Sequence, residues 1–201
     1  MKDVFIHPKA LVEAKSIGAG TRIWAFTHVM TGARIGKNCT IGDHCYVESG
    51  AIIGNNTIVK NGNMIWEGVQ LEDAVFVGPH VFFTNDLYPR SRHLAEANKR
   101  YRDKRNWLQL TKVERGASLG AGAVILAGIT IGQYATVAAG SVVTKCIRPH
   151  LLVIGNPARS RGWVCRCGRK LHFRSGSVAC KDCQLKFQLT SRGLKVAECS
   201  I

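Results

Sequence analysis

The absences in this sequence narrow it before its motifs do. No apolar run approaches the roughly 20 residues that a bilayer-spanning helix requires, so no membrane span is expected. The opening stretch, MKDVFIHPKA, lacks the apolar centre of a secretory leader, which points to a cytoplasmic chain. In that setting the eight cysteines are expected as free thiols or metal ligands rather than disulfides. Acidic residues are scarce, 13 against 28 Lys and Arg, for a net charge of +15. The deficit is local. Residues 84–112 carry eight Lys/Arg against three Asp/Glu, and residues 145–201 carry twelve against two, whereas 1–83 and 113–144 together carry eight of each. Clustered basic charge attracts phosphorylated small molecules, nucleic acid or anionic surfaces without choosing among them.

What is present is a six-residue repeat. An aliphatic residue, or Phe at the last, recurs at every sixth position from Leu11 to Phe83, and the beat resumes in phase from Val113 to Val143, nineteen times in all. Small or branched residues such as Thr21, Thr27, Cys39, Cys45 and Thr57 fill the fifth place, and Gly, Asn and Asp supply bends. A period of six is neither helical nor a simple strand alternation. Short strands of about four residues separated by turns, three hexads to a coil, predict coils stacked about 4.8 Å apart with parallel pairing. The fold class is therefore all-β, a parallel β-helix of hexapeptide repeats.

The beat fails in two places. Residues 84–112 are polar and basic and predict a projecting loop with a helical turn near residues 95–102. Long loops inside repeat proteins are often functional. After Val143 an exit segment, LLVIGNPARSRGW, leads to Cys165, Cys167, Cys180 and Cys183 in the spacing C-x-C-x12-C-x2-C. Four thiolates on a short arm suit a structural zinc ribbon, with no open coordination position for catalysis. Cys39 and Cys45 read as small core residues, and Cys146 and Cys199 carry no signal. The expected domains are 1–162, the β-helix with its loop 84–112, and 163–201, the four-cysteine segment.

The hexads, the segment IWEGVQLEDAVFVGPHVFFTNDLYPRS and the exit VIGNPARSRGW together resemble the left-handed β-helix acyltransferases of nucleotide-linked amino sugars. The 3-N-acetyltransferases acting on UDP- or dTDP-linked 3-amino sugars are the nearest group. The resemblance covers roughly residues 3–165 and implies a left-handed coil, a homotrimer with sites between chains, acetyl-CoA as donor and an amine on a nucleotide-sugar as acceptor, in surface polysaccharide (lipopolysaccharide) biosynthesis. It places Asn85 at the family's FTN position, where its amide orients the amine or the acetyl carbonyl. Asp86 and His80, nearby in sequence, are the candidate catalytic groups to accept a proton or fix the acceptor. Acceptor contacts are expected from His28, Trp66, Glu67, Tyr88 and Arg90. CoA is expected along the small-residue coils at Ala121, Gly122, Ala127, Gly128 and Ala139, with Lys145, Arg159 and Arg161 meeting its phosphates. The basic loop leans toward a uronate acceptor, while the segment around Trp66 resembles the dTDP-sugar enzymes as much, and a 4-amino sugar is an alternative. A γ-class carbonic anhydrase, which shares this fold, needs a histidine cluster on the later coils, and Val113–Ile147 contains no histidine. A basic nucleic-acid-binding protein with a zinc ribbon is the non-enzyme alternative. It is disfavoured because no aromatic-interleaved basic stripe is present, and nucleic acid is not an expected partner.

Overall fold

Each hexad makes one short strand and one bend. The strands are shorter than the periodicity suggested, mostly two residues, such as Arg34–Ile35 and Ile58–Val59. They are parallel and paired 18 residues apart, as in Arg22↔Thr40 and Ile58↔Phe76, so three hexads close one coil. In this computed structural model, which describes residues 3–191 and 193–196, the coils stack into a three-faced prism. The first face runs from Phe5–Ile6 up to the exit, the second from Leu11–Val12 to Val142–Val143, and the third from Ser16–Ile17 to Thr130–Ile131. Cys199 lies outside the described residues.

Inside the prism the hexad aliphatics form three columns. Ile23, Val29, Ile41, Val47, Val59 and Ile65 are fully buried, and their counterparts Leu119, Ile125, Ile131 and Val143 repeat this above the loop. Burying each such side chain contributes about 1.5–3 kcal/mol. The fifth-place residues do two jobs in little space. The Thr27 hydroxyl donates to the Gly42 carbonyl at 2.6 Å and accepts from the Cys45 amide at 3.1 Å, which satisfies bend groups that water cannot reach. Cys39 and Cys45 are buried as expected, with thiols donating to the carbonyls of Gly54 and Lys60, and burial pushes both thiols above their ordinary pKa.

The first repeat is out of phase with the sequence reading. Val12, not Leu11, pairs with Val29, and Leu11 is exposed. The step from Val12 to Ile17 is thus one residue short. Adjacent Leu and Val are both aliphatic, so periodicity alone could not choose between them.

The loop leaves the stack at the bend from second to third face, after Phe83, and returns at Thr111–Val113. That strand pairs with Val69–Leu71 at a separation of 42 residues where the coil directly below needs 18, so the insertion adds 24. It contains the helix Ala95–Tyr101 and a 3-10 turn, Lys104–Asn106. At the top, strand Leu151–Ile154 closes the first face. Strand Arg159–Val164 folds back on it antiparallel and pairs in turn with Lys170–Leu171. A three-stranded sheet, Ser177–Ala179, Lys186–Thr190 and Gly193–Val196, completes the C-terminal part. This part has its own small core of Cys165, Leu171, Cys180 and Phe187, and Trp163 packs against both cores. Among the described residues no helix is long and apolar enough to cross a membrane.

Candidate active site

The residues with chemistry gather at the two edges of the second face. The strand Phe82–Phe83 has His80 in the bend before it and Asn85 in the bend after it, so these two lie at opposite edges. Asn85 begins the loop. Its amide nitrogen donates to the Glu67 carbonyl one coil below at 3.3 Å, and its own carbonyl accepts from the Gln109 amide at 2.9 Å. With Nδ2 engaged on the scaffold, Oδ1 is the atom left to accept a hydrogen bond from an amine. The Glu67 carboxylate takes Lys104 Nζ on both oxygens, at 2.7 and 2.8 Å, which ties the loop to the coil.

Asp86 is committed to the loop itself. Its Oδ1 accepts from the Tyr88 amide at 2.9 Å, while Oδ2 accepts from Arg100 at 2.7 Å and from the Tyr101 hydroxyl at 2.8 Å. Arg100 also donates to the Tyr88 carbonyl, and the Tyr101 hydroxyl accepts from the Arg90 amide. The Tyr88 side chain is left exposed. Between this network and the coils lies a cleft of about 510 Å³ lined by Glu48, Glu67, Arg90, Arg92, Lys104 and Trp107, among others. The guanidinium groups of Arg90 and Arg92 have no carboxylate partner among the described residues, so the cleft presents free positive charge to an anion.

Trp66 sits on the outer surface of the second face in an aromatic ladder. The His28 ring meets Tyr46 edge-on at 5.4 Å, and Tyr46 meets Trp66 at 5.6 Å. His28 Nε2 lies 3.0 Å from Glu13. His28 is three coils below Asn85, about 14 Å along the axis, so within one chain it does not join Asn85.

The opposite edge changes character with height. Phe26, His44, Gly62, His80, Gly122 and Gly140 share its column of left-handed bend positions. The His44 ring packs on Phe26, and the exposed His80 ring covers Gly62, where an added Cβ would fall 2.3 Å from it. Above His80 the edge is bare. A Cβ built on Gly122 or Gly140 would meet nothing within 4 Å. The hairpin tip Gly155–Ala158 then hydrogen-bonds to Val142 and Ser141 at the top of the second face, and Arg159 follows it. Ala121, Gly122, Ala139 and Arg159 therefore belong to one ledge. Ala127, Gly128 and Lys145 lie on the other edge, above the loop, and Ala127 is buried. Arg161 is exposed further along the exit strand.

At the C-terminal end the sulfurs of Cys165, Cys167, Cys180 and Cys183 all lie within 4.8 Å of one another, with pairs at 3.3 and 3.6 Å. Zinc–thiolate bonds of about 2.3 Å place tetrahedral sulfurs about 3.8 Å apart, so these four fit such an ion. The Cys183 backbone N–H, first among several, draws the Cys180 thiol down to about 7, whereas burial pushes Cys165 up.

Glu48, Tyr46, Lys104 and Trp107 belong to the site's surroundings and were not legible from motif reading. A column at the coil period would have found Glu48, since Glu48, Trp66 and Thr84 are 18 residues apart.

Known proteins agree with this architecture. Residues 14–49 and 110–145 match the family described as bacterial transferase hexapeptide (six repeats), and residues 32–67 match the hexapeptide repeat of succinyl-transferase. A dTDP-3-amino-3,6-dideoxy-alpha-D-galactopyranose 3-N-acetyltransferase of Aneurinibacillus thermoaerophilus is 51% identical over 177 residues, covering 88% of this chain and 87% of that one. A galactoside O-acetyltransferase of Lactococcus lactis is 33% identical over 89 residues, 41% of this chain and 40% of that one. AntD, an N-acyltransferase from Bacillus cereus solved with dTDP and 3-hydroxybutyryl-CoA, shares the fold at a TM-score of 0.52 and 17% identity, covering 83% of this chain and 82% of its own. Repeat and relative converge, and the chain belongs to the left-handed β-helix, hexapeptide-repeat nucleotide-sugar N-acyltransferases of the 3-N-acetyltransferase group.

Proposed function

We propose that this protein transfers the acetyl group of acetyl-CoA to the C3 amine of a dTDP-linked 3-amino-3,6-dideoxyhexose, a building unit of surface polysaccharide. The identity of 51% across 88% of the chain to an enzyme named for that reaction carries the reading. The loop supports a 6-deoxy sugar over a uronate. Two of the loop cations that could pair with a uronate carboxylate, Arg100 and Lys104, are already engaged by Asp86 and Glu67. Arg90 and Arg92 remain for the pyrophosphate.

In the proposed reaction the neutral amine attacks the thioester carbon, the N–C bond forms and the C–S bond breaks. Asn85 Oδ1 orients the amine by accepting one of its protons in a hydrogen bond. The nitrogen's surplus proton ends on the departing thiolate, directly or through His80. Pantetheine runs along the bare ledge at Gly122 and Ala139 toward Arg159. Because His80 and Asn85 occupy opposite edges of one face, we read the working site as shared between adjacent copies in a homotrimer, with His28 and Trp66 contacting the acceptor across the same groove. Asp86 serves as the loop's fastener in this reading. The four cysteines of the C-terminal segment hold one zinc ion, closing a part of the chain that buries few side chains of its own.

Thiol release measured against dTDP- and UDP-linked 3-amino and 4-amino sugars tests the function. The dTDP-linked 3-amino-6-deoxy sugar is expected to give the highest kcat/KM. Preference for a 4-amino sugar or a uronate would overturn the acceptor assignment.

A further inference from the structure

We propose that Glu48 is a positioning residue of the acceptor site, acting through Glu67 and Asn85. The inference rests on the assignment of those two residues to the acceptor. Glu48 follows the strand Tyr46–Val47 one coil below Glu67, and its Oε2 accepts from the Glu67 backbone N–H at 2.7 Å. The next peptide carbonyl, that of Glu67 itself, accepts from Asn85 Nδ2. Both peptide groups flanking the Glu67 Cα are thus held, one from below by Glu48 and one from above by Asn85. The Glu67 side chain lies over Gly50, where an added Cβ would fall 3.2 Å from Glu67 Cγ, and its carboxylate reaches Lys104. Release of the peptide below would let the Glu67 carbonyl turn, and with it the only scaffold bond that fixes the Asn85 amide among the described residues. Oδ1 would then lose its aim at the amine.

The fold uses the same device elsewhere. Glu72 accepts from the Arg115 amide and Glu114 from the Gln133 amide at the edge between third and first faces, remote from the loop. Glu48 differs in what the peptide it holds carries: the Glu67 carboxylate, which lines the cleft, and the Glu67 carbonyl, which fixes the Asn85 amide. A purely structural role would move stability alone. A positioning role moves the acceptor step.

Three variants separate these possibilities. Glu48→Ala is expected to lower kcat/KM for the acceptor about ten- to hundredfold, the scale of a small misplacement of reacting groups, while KM for acetyl-CoA stays within about twofold. Glu48→Gln keeps an oxygen for the Glu67 N–H, so activity is expected within about threefold of the parent with an unchanged pH profile. In an Asn85→Ala background, Glu48→Ala is expected to add little, because the two act on one unit. Wild-type acceptor kinetics in Glu48→Ala, beside a defective Asn85→Ala, would overturn this inference alone. Equal damage in Glu48→Gln and Glu48→Ala would overturn it too, by showing a charge contact with substrate. Wild-type kinetics in Asn85→Ala would remove the acceptor assignment and the inference with it.

Discussion

Replacing Asp86 with Ala should open the loop without melting the prism. The carboxylate side chain is 10% exposed and takes three donors, the Tyr88 amide, Arg100 and the Tyr101 hydroxyl. Hydrogen bonds to a charged group are worth about 1.5–3 kcal/mol each, but they do not add. Arg100 would keep the Tyr88 carbonyl and the Tyr101 hydroxyl, so its charge is not stranded. A cost of about 2–3 kcal/mol to loop closure is reasonable, which raises the open population about 30- to 150-fold. Trypsin reads that population directly, because the loop carries Arg90, Arg92, Lys99, Arg100, Arg102 and Lys104. The nicking rate should rise by the same factor while Tm shifts less than about 2 °C, since the loop contributes no residue to the buried columns between Phe83 and Thr111. Asp86→Asn, which retains an acceptor for Tyr88, should fall between. Nicking of Asp86→Ala at the parent rate would refute the reasoning. The same variant separates fastener from base. A fastener raises KM for the acceptor and leaves kcat within about tenfold, whereas loss of a general base removes about 10²–10⁴ from the rate at saturating acceptor.

Four other expectations follow from the bends and the C-terminal end. Gly120→Ala should lower stability by about 1–3 kcal/mol in denaturant melts, because its Cβ would lie 2.3 Å from the Ala139 backbone nitrogen. Gly122→Asn, at φ +65° with open space around it, should fold normally and raise KM for acetyl-CoA by filling the ledge. His150 is buried, stacks on Tyr134 and meets Phe187 edge-on, and burial holds its imidazole below the ordinary histidine pKa. The unfolded state therefore binds more protons between the folded pKa and about 6.5, so this end is fully stable above about 6.5 and weakens as pH falls through the folded value. Trp163 fluorescence should report that acid-side loss in the parent and not in His150→Asn, whose side chain tolerates the left-handed bend. Cys180→Ser should reduce bound zinc from one ion per chain and expose Phe187, measured by metal analysis and near-ultraviolet dichroism. Unchanged zinc content would refute the four-cysteine assignment.

How far the sequence could be read depends on what each feature repeats. The aliphatic columns were legible because successive coils impose the same burial on the same place, and eighteen of the nineteen positions speak together. Leu11 departs from the pattern because a single short step at the chain's lower end has no second copy to reveal it. Asn85, Glu67 and the cysteines were legible through local motifs, which survive without knowledge of the fold. That Asn85 and His80 occupy opposite edges follows only from counting bends around a closed coil. Glu48 and Lys104 were silent because the partner that gives each its meaning, Glu67, lies 19 and 37 residues away. The commitment of Asp86 to Arg100 was hidden for a related reason: a basic loop offers many partners at similar separations, and only folding selects one.

The in-register stack also acts as a ruler. From the loop edge at Phe83 to the hairpin beside Val142 there are two coil steps, through Ile125 and Val143, roughly 10 Å. That interval sets how far the cleft beside the loop stands below the segment carrying Arg159. An extra coil inserted beneath Leu11 would leave the interval untouched, whereas one inserted between Val113 and Val143 would lengthen it by a whole coil spacing, about 4.8 Å, with no intermediate value on offer. Chains built this way can alter that separation only in whole-coil increments, and finer adjustment has to come from the bends.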